Sequence, residues 1–374
     1  MTGWSDLIGR RLDAIREAGR WRQYRDLDAR GPRGRLVAEE RAVVTFASND
    51  YLGLSAHPAV AAAAHEAIDR WGTGSGGSRL ITGARPVHRD LEEELADWKG
   101  TDRAVLFPTG FATNIGVLSA LATTGTRIVS DKLNHASIID GTRLARADVE
   151  IWRHGDLDGL TELLRGDDRP TIVVTDTVFS MDGDALDVAA VADRCRDTGA
   201  LLVLDEAHAV LGPHPSAEDL AGVEVVRVGT LSKALGALGG FAACSGSVAD
   251  LLVNVARSSI FTTALSPADA AAGLAALRIL RSPEGERLIA RLRSHVDRLR
   301  PGHPSPIVPI VVGDEDEAVA RSAALLELGL HVPAIRPPTV PVGTSRLRVT
   351  LCADHTDEEV DRLLAALATF EETS

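Results

Sequence analysis

The chain has 374 residues, 45% hydrophobic and 25% charged, a composition that suits a large core with a smaller second lobe and excludes a disordered or collagen-like protein. A formal net charge of −13 repels phosphates at long range, so neither nucleic acid nor an anionic membrane is an expected partner, and any anionic ligand must be held locally. The three cysteines, Cys195, Cys244 and Cys352, have no CxxC spacing; a disulfide framework and a zinc knuckle are both unsupported, no metal site is expected, and a reducing cytoplasm fits.

From Met1 to Trp21, Leu7, Ile8, Leu12 and Ile15 fall on one helical face between charged residues, which predicts an amphipathic helix. It lacks the apolar run of a secretory signal, and its acidic residues count against a transit peptide. No later run approaches the roughly 18 apolar residues that cross a bilayer.

Between Arg103 and Ser245, short β-branched runs alternate with helical stretches, the pattern of a sheet covered by helices on both faces. The predicted strands are Ala104 to Phe107, Arg127 to Ser130, Val149 to Trp152, Thr171 to Asp176, Leu201 to Asp205, Val225 to Thr230 and Gly240 to Ser245. Several are apolar throughout, as strands buried on both faces are, and chemistry in such sheets gathers at the carboxyl ends. A long helical region is predicted from Ser266-Pro267 until Gly302 to Pro306 breaks it. Beyond lie a strand over Ile307 to Val312, a helix, a turn at Pro337-Pro338, a strand over Leu347 to Leu351, and a last helix opened by Thr356 and Glu359 in capping-box spacing.

The strand ending at Asp205 continues Glu206-Ala207-His208. DEAH after an apolar strand suits the Mg-binding acid of an NTPase, but such an enzyme also needs GxxxxGK[ST], and none of the three lysines, Lys99, Lys132 and Lys233, stands in that motif. The surviving reading pairs Asp205 with a pyridinium nitrogen, keeping the ring protonated as an electron sink, with His208 toward the ring's phenolic oxygen. The bland alternatives are a helix cap and a packed histidine.

Lys233, in Thr230-Leu231-Ser232-Lys233, follows the next strand. The chain builds its positive surface from 37 arginines, and an imine needs an amine that can lose its proton, which arginine effectively cannot. Gly110 and Phe111 open a helix after a strand, where free N–H groups suit a phosphate; Thr262 and Thr263 add hydroxyls that reach a phosphate or are merely structural. His135 follows the second strand and is placed over the same site, where alone it is equally a packed residue.

NDYLGL (Asn49 to Leu54), GSGGSR (Gly74 to Arg79), GF (Gly110-Phe111), NHAS (Asn134 to Ser137), VFSMDGD (Val178 to Asp184), DEAH (Asp205 to His208) and TLSKALG (Thr230 to Gly236) occur in that order. In this combination, from about Arg25 to about Leu351, the chain resembles the α-oxoamine synthases. The resemblance implies an α/β architecture, the fold type I of PLP-dependent transferases: a large domain with a mostly parallel sheet between helices, and a small α+β C-terminal domain. The expected divisions are an N-terminal helix and arm over 1–45, a pyridoxal 5'-phosphate (PLP) domain over 46–270 and a C-terminal domain over 271–374.

Carried over by position, the resemblance makes Lys233 the imine lysine and proton carrier, Asp205 the pyridinium partner and His135 the ring stacked on PLP. It puts His208 and Ser180 on the phenolic-oxygen side and Thr230, Gly110 and Phe111 at the phosphate. Arg336, with Thr339 nearby, would take the amino-acid carboxylate, and Arg25 a substrate group; His135 would also face the substrate. It further implies a homodimer in which the glycine loop, Thr262 and Thr263 reach the partner's site. The stretch Ala334 to Pro341 is similar to the biotin-pathway branch, implying L-alanine and a pimeloyl thioester, on coenzyme A or an acyl carrier protein, joined with loss of carbon dioxide. Glycine with a shorter acyl group, an aminotransferase and a catalytically silent partner subunit are the alternatives. NHAS where many members have SHAS, and alanine beside the lysine, depart from the family pattern without removing a needed group.

Overall fold

The computed structural model describes residues 3–371; the first two residues of the predicted N-terminal helix lie outside them. Seven strands form the central sheet: β4 (Arg103–Phe107), β5 (Arg127–Asp131), β6 (Asp148–Trp152), β7 (Thr171–Asp176), β8 (Leu201–Asp205), β9 (Val225–Thr230) and β10 (Gly240–Cys244). Their order is β4-β10-β9-β8-β7-β5-β6, all parallel except β10, which runs antiparallel to both neighbours. The apolar runs fall where the sequence predicts them because both faces are covered. Val105, Val117, Ile138 and Val226 pack on one side, and Trp152, Leu160, Val191 and Leu202 share a second buried cluster.

Smaller sheets flank this one. β1 (Leu27–Arg30), β2 (Arg33–Leu36) and β3 (Arg41–Thr45) form a meander that β12 (Leu330–His331) extends in parallel, so a late segment completes an early sheet. In the other, β11 (Ile307–Gly313) and β13 (Ala334–Ile335) pair antiparallel with β14 (Ser345–Thr350). The expected long helix is two, Pro267–Leu280 and Pro283–Leu299, because Ser282 caps the Glu284 N–H and Pro283 starts a fresh helix. The capping box holds at the last helix: Thr356 N–H donates to Glu359 at 2.9 Å and Glu359 N–H to Thr356 at 3.2 Å. Among the described residues no helix is long and apolar enough to cross a membrane.

The N-terminal helix, Trp4–Glu17, is amphipathic as expected but buries none of its residues; Trp4 and Ile8 are 79% and 52% exposed. By contrast Lys99 is buried, its amine 2.6 Å from Glu206 and lying over the Trp98 ring, with Arg227 on the other carboxylate oxygen at 2.7 Å. The carboxylate sits between two cations in a dry site, which is the condition for burying such charges at all.

Two local devices hold the loops at the sheet's carboxyl edge. Gly236, just past Lys233, has φ +59°, and an added Cβ would lie 2.2 Å from the Ser55 backbone nitrogen. Both the left-handed backbone and the close approach need glycine. Second, His154 bridges two carboxylates, Asp131 at 3.0 Å and Asp184 at 2.7 Å, and so ties the segment leading to His135 to the Val178 to Asp184 loop. The hydrogen bonds to Asp131 and Asp184 raise its pKa from 6.5 to about 10.

Gly236→Ala is expected to lower stability by about 2–4 kcal/mol, read as a fall in the urea midpoint. Because the folded value of His154 lies above the unfolded one, its contribution is complete below about pH 6.5 and is lost as pH rises through about 10. His154→Gln should remove about 1–2 kcal/mol of that pH-dependent part, after allowance for solvent around a partly exposed ring. Unfolding at neutral and alkaline pH should show wild type losing more stability than the variant across this range.

Candidate active site

Five parallel-running strands deliver the site from their carboxyl ends: β4 to Thr109, β5 to His135, β7 to Asp176, β8 to Asp205 and β9 to Thr230. With Gly110, Phe111, Asn114, Ser137, His208, Ser232 and Lys233 these residues line one cavity of about 640 Å³.

The helix Gly110–Leu121 points its start into this cavity. Thr109 caps it by accepting the Ala112 N–H at 3.0 Å, and the helix itself has no acceptor for the N–H groups of Gly110 and Phe111. Gly110 packs so closely on Thr230 that an added Cβ would stand 3.2 Å from its Cβ. Backbone donors and the positive end of the helix therefore face the cavity beside Thr230, an environment made for an anion.

Opposite lies a run of hydrogen bonds. Asp205 accepts from Asn114 Nδ2 at 2.6 Å and from the Ala207 N–H at 2.9 Å; no helix follows that it could cap. Asn114 also donates to Ser137 Oγ at 2.9 Å, which lies 2.7 Å from His135 Nδ1. The Ser137 N–H donates to the same Nδ1, so that nitrogen is an acceptor and the neutral ring carries its proton on Nε2. Burial lowers the His135 pKa, favouring that neutral form. Asp176 accepts the His135 backbone N–H at 2.7 Å while its own N–H donates to Asn134, bracketing the histidine. Asp176 and Asp205 are register partners on adjacent strands; burial first, then the Asp205 charge, push Asp176 well above the usual carboxylate range.

Lys233 faces these carboxylates. Burial lowers its pKa from 10.5 to about 8, against the raising effect of Asp205 and Asp176. Its Nζ lies 2.7 Å from His208 Nε2, and the Tyr51 hydroxyl lies 2.5 Å from Nδ1 of the same ring. Burial, then the charge of Lys233, hold His208 well below 6.5. Arg348 lies behind Tyr51 and donates to the Ser180 carbonyl at 2.6 Å and to Asn49 Oδ1 at 3.2 Å.

Of the residues singled out in the sequence, Gly110, Phe111, His135, Asp205, His208, Thr230 and Lys233 thus share one cavity. Ser180 stands outside its lining, holding Arg348 through its carbonyl. Thr262 and Thr263 are also outside it; the neighbouring Ala264 N–H donates to the Gly77 carbonyl at 2.9 Å, so they form one surface with the glycine loop. Arg25 and Arg336 meet in a separate open groove of about 1710 Å³, and Thr339 lines an adjoining one with Arg336. Sequence reasoning missed Asn114, Ser137, Asp176, Tyr51 and Arg348. Only Asp176 carried a legible signal, an acid ending a buried strand just as Asp205 does.

The family described as aminotransferase class I and II matches residues 41–367. An 8-amino-7-oxononanoate synthase of Geobacter sulfurreducens is 45% identical, over 96% of this chain and 97% of its own length. Among solved structures, a Sphingomonas wittichii serine palmitoyltransferase superposes with a TM-score of 0.88 at 31% identity, covering 97% of this chain and 96% of that one. A serine palmitoyltransferase of S. paucimobilis, solved with a bound PLP–myriocin adduct, superposes with a TM-score of 0.86 at 28% identity, covering 97% and 96%. The match spans both the strand ends that build the cavity and the small sheet that carries Arg348, and the chain belongs to the class I and II aminotransferase family.

Proposed function

We propose that this chain is a PLP-dependent C-acyltransferase of biotin biosynthesis, an 8-amino-7-oxononanoate synthase that joins L-alanine to a pimeloyl thioester with loss of carbon dioxide. The observation that carries the cofactor reading is Lys233, an amine brought to about 8 inside a cavity that also holds a buried carboxylate, Asp205, and a helix start. The substrate reading rests on the 45% identity to a relative of that name, against 31% for the serine palmitoyltransferase.

The residues present fit PLP. Lys233 would hold it covalently through Nζ, Asp205 would face its ring nitrogen, and Gly110, Phe111 and Thr230 would take its phosphate. When bound, the cofactor supplies an electron sink for the carbon next to the amino group. Lys233, once released by the incoming amino acid, is the base that takes the Cα proton at Nζ and later returns it; a value near 8 suits both directions at neutral pH. His135, neutral and fixed by Ser137 and Asp176, bounds the cavity beside Phe111. Arg336 suits the planar carboxylate of L-alanine because a guanidinium grips it with two parallel bonds, and Arg25, in the same groove, suits a substrate anion.

A homodimer is part of the proposal. Leu80, Ile81 and Phe261 are 56%, 79% and 70% exposed around the surface shared by the glycine loop, Thr262 and Thr263, which lies outside the chain's own cavity. A second copy would cover that surface and receive those threonines. The three buried, unpaired cysteines suit the cytoplasm.

Lys233→Ala should abolish covalent PLP, read as loss of the yellow, borohydride-reducible chromophore, and lower turnover by at least about 10³-fold. Product analysis decides the substrates. L-alanine with pimeloyl thioester should give the nine-carbon amino ketone acid, and comparing coenzyme A with carrier-protein thioesters identifies the donor. Preference for L-serine with palmitoyl thioester, for glycine with a short acyl group, or pyruvate formation from alanine would each overturn the assignment.

A further inference from the structure

Tyr51 does not line the cavity, yet it is fully buried and touches His208, whose ring is hydrogen-bonded to the Lys233 amine. Its hydroxyl lies 2.5 Å from His208 Nδ1 and 3.3 Å from Asn49 Oδ1, and the Arg348 guanidinium donates to that same Asn49 oxygen at 3.2 Å. We propose that Tyr51 is a positioning residue that sets the tautomer of His208 and through it holds the free amine of Lys233 in the unprotonated form that accepts a proton. The inference deepens the proposed function, since it rests on Lys233 being the working lysine.

The argument follows from what each group can do. A buried phenol O–H must find an acceptor, and of the two within reach Asn49 Oδ1 already receives an Arg348 N–H. His208 Nδ1 offers the shorter contact, and burial keeps the phenol protonated. With Nδ1 accepting, the neutral imidazole carries its proton on Nε2 and donates it to Nζ. An ammonium has three donors and no acceptor, so this arrangement stands only with a neutral amine. The bonds from Tyr51 to His208 and from His208 to Lys233 then point the same way, and the first polarises the second.

The opposite arrangement is also fully paired. A protonated Lys233 donates to Nε2, the imidazole proton sits on Nδ1 and donates to the phenol oxygen, and the phenol O–H turns to Asn49. The imidazole and the phenol hold one proton each in both arrangements; only Nζ gains or loses one. The contact given up, at 2.5 Å, is shorter than the one gained, at 3.3 Å, so Tyr51 favours the neutral amine without forbidding the charged one. The other groups facing Nζ are Asp205 from β8 and Asp176 from β7, which favour the ammonium, and Arg348 from β14, which opposes it; His135, on the loop after β5, faces the same cavity. All of these remain when the hydroxyl is removed.

The test is the pH dependence of trace acetic anhydride labelling of each lysine in the full chain without cofactor, read by peptide mass spectrometry, with exposed Lys132 as internal reference. In Tyr51→Phe the Lys233 midpoint should rise by roughly half to one unit, while Lys132 stays put. No such shift should appear when Tyr51→Phe is made in a His208→Asn background. Incorporating 3,5-difluorotyrosine, a more acidic phenol, at the chain's two tyrosines keeps the ring and should move the Lys233 midpoint down, which provides a test independent of how well Tyr51→Phe folds. An unchanged or lower midpoint in Tyr51→Phe, an equal shift without His208, or a difluorotyrosine shift upward each overturns the proposal. Failure of PLP to attach to Lys233 would instead sink the proposed function, leaving the labelling midpoints to judge Tyr51.

Discussion

Placing an amine in a protein interior costs free energy unless it sheds its proton or finds a carboxylate, and Lys233 is held between these outcomes. Burial drives the proton off, Asp205 and Asp176 draw it back, and the balance falls at about 8. Much of the surrounding architecture reads as the means of keeping that balance. Parallel strands bring both acids to neighbouring positions in one register, the turn after β8 supplies His208, and the turn after β9 supplies the lysine.

The balance also depends on residues far along the chain. His208 meets Tyr51 across 157 residues, and Arg348 meets Asn49 across 299. The small sheet is thus joined to the cavity through charged donors: Arg348 holds the Ser180 carbonyl, and Arg346 reaches Asp182 in the same loop. Arg336, a register partner of no cavity residue, stands in the groove where the N-terminal arm crosses this sheet, donating to the Gly19 carbonyl at 3.2 Å.

What could be read from the amino acids alone follows the same physics. Most of the central strands were legible because burial on both faces leaves runs such as Leu201 to Leu204 with no polar break, while the edge strand β6, with Val149 and Ile151 exposed, showed itself by its β-branched residues. β1 and β2 escaped notice because they are four residues each, mostly exposed and carrying arginines, and gain their place only because β2 pairs with β3 and β1 with β2. β12 and β13, two residues each, have no periodicity to detect. In the site, Asp205 and Lys233 stood out as chemistry-bearing side chains at strand ends, whereas His135, equally a packed residue when taken alone, gained meaning only from the motifs around it. Tyr51 and Arg348 gave no such sign: a tyrosine in a turn and an arginine in a strand become partners of the site only through tertiary contact. The second helix start at Ser282-Pro283 repeated the Ser266-Pro267 pattern and was readable, but the apolar stretch around it masked the break.

The chain's small stock of side-chain amines has a chemical consequence. Aldehydes condense with primary amines wherever they meet them, and most proteins carry many such targets on their surface. Here Lys99 is sealed against Glu206, leaving Lys132 as the surface competitor to Lys233. Replacing lysine by arginine keeps the surface charged while withholding nucleophiles, so a reactive carbonyl compound finds little to foul on the way to the one amine poised to accept it.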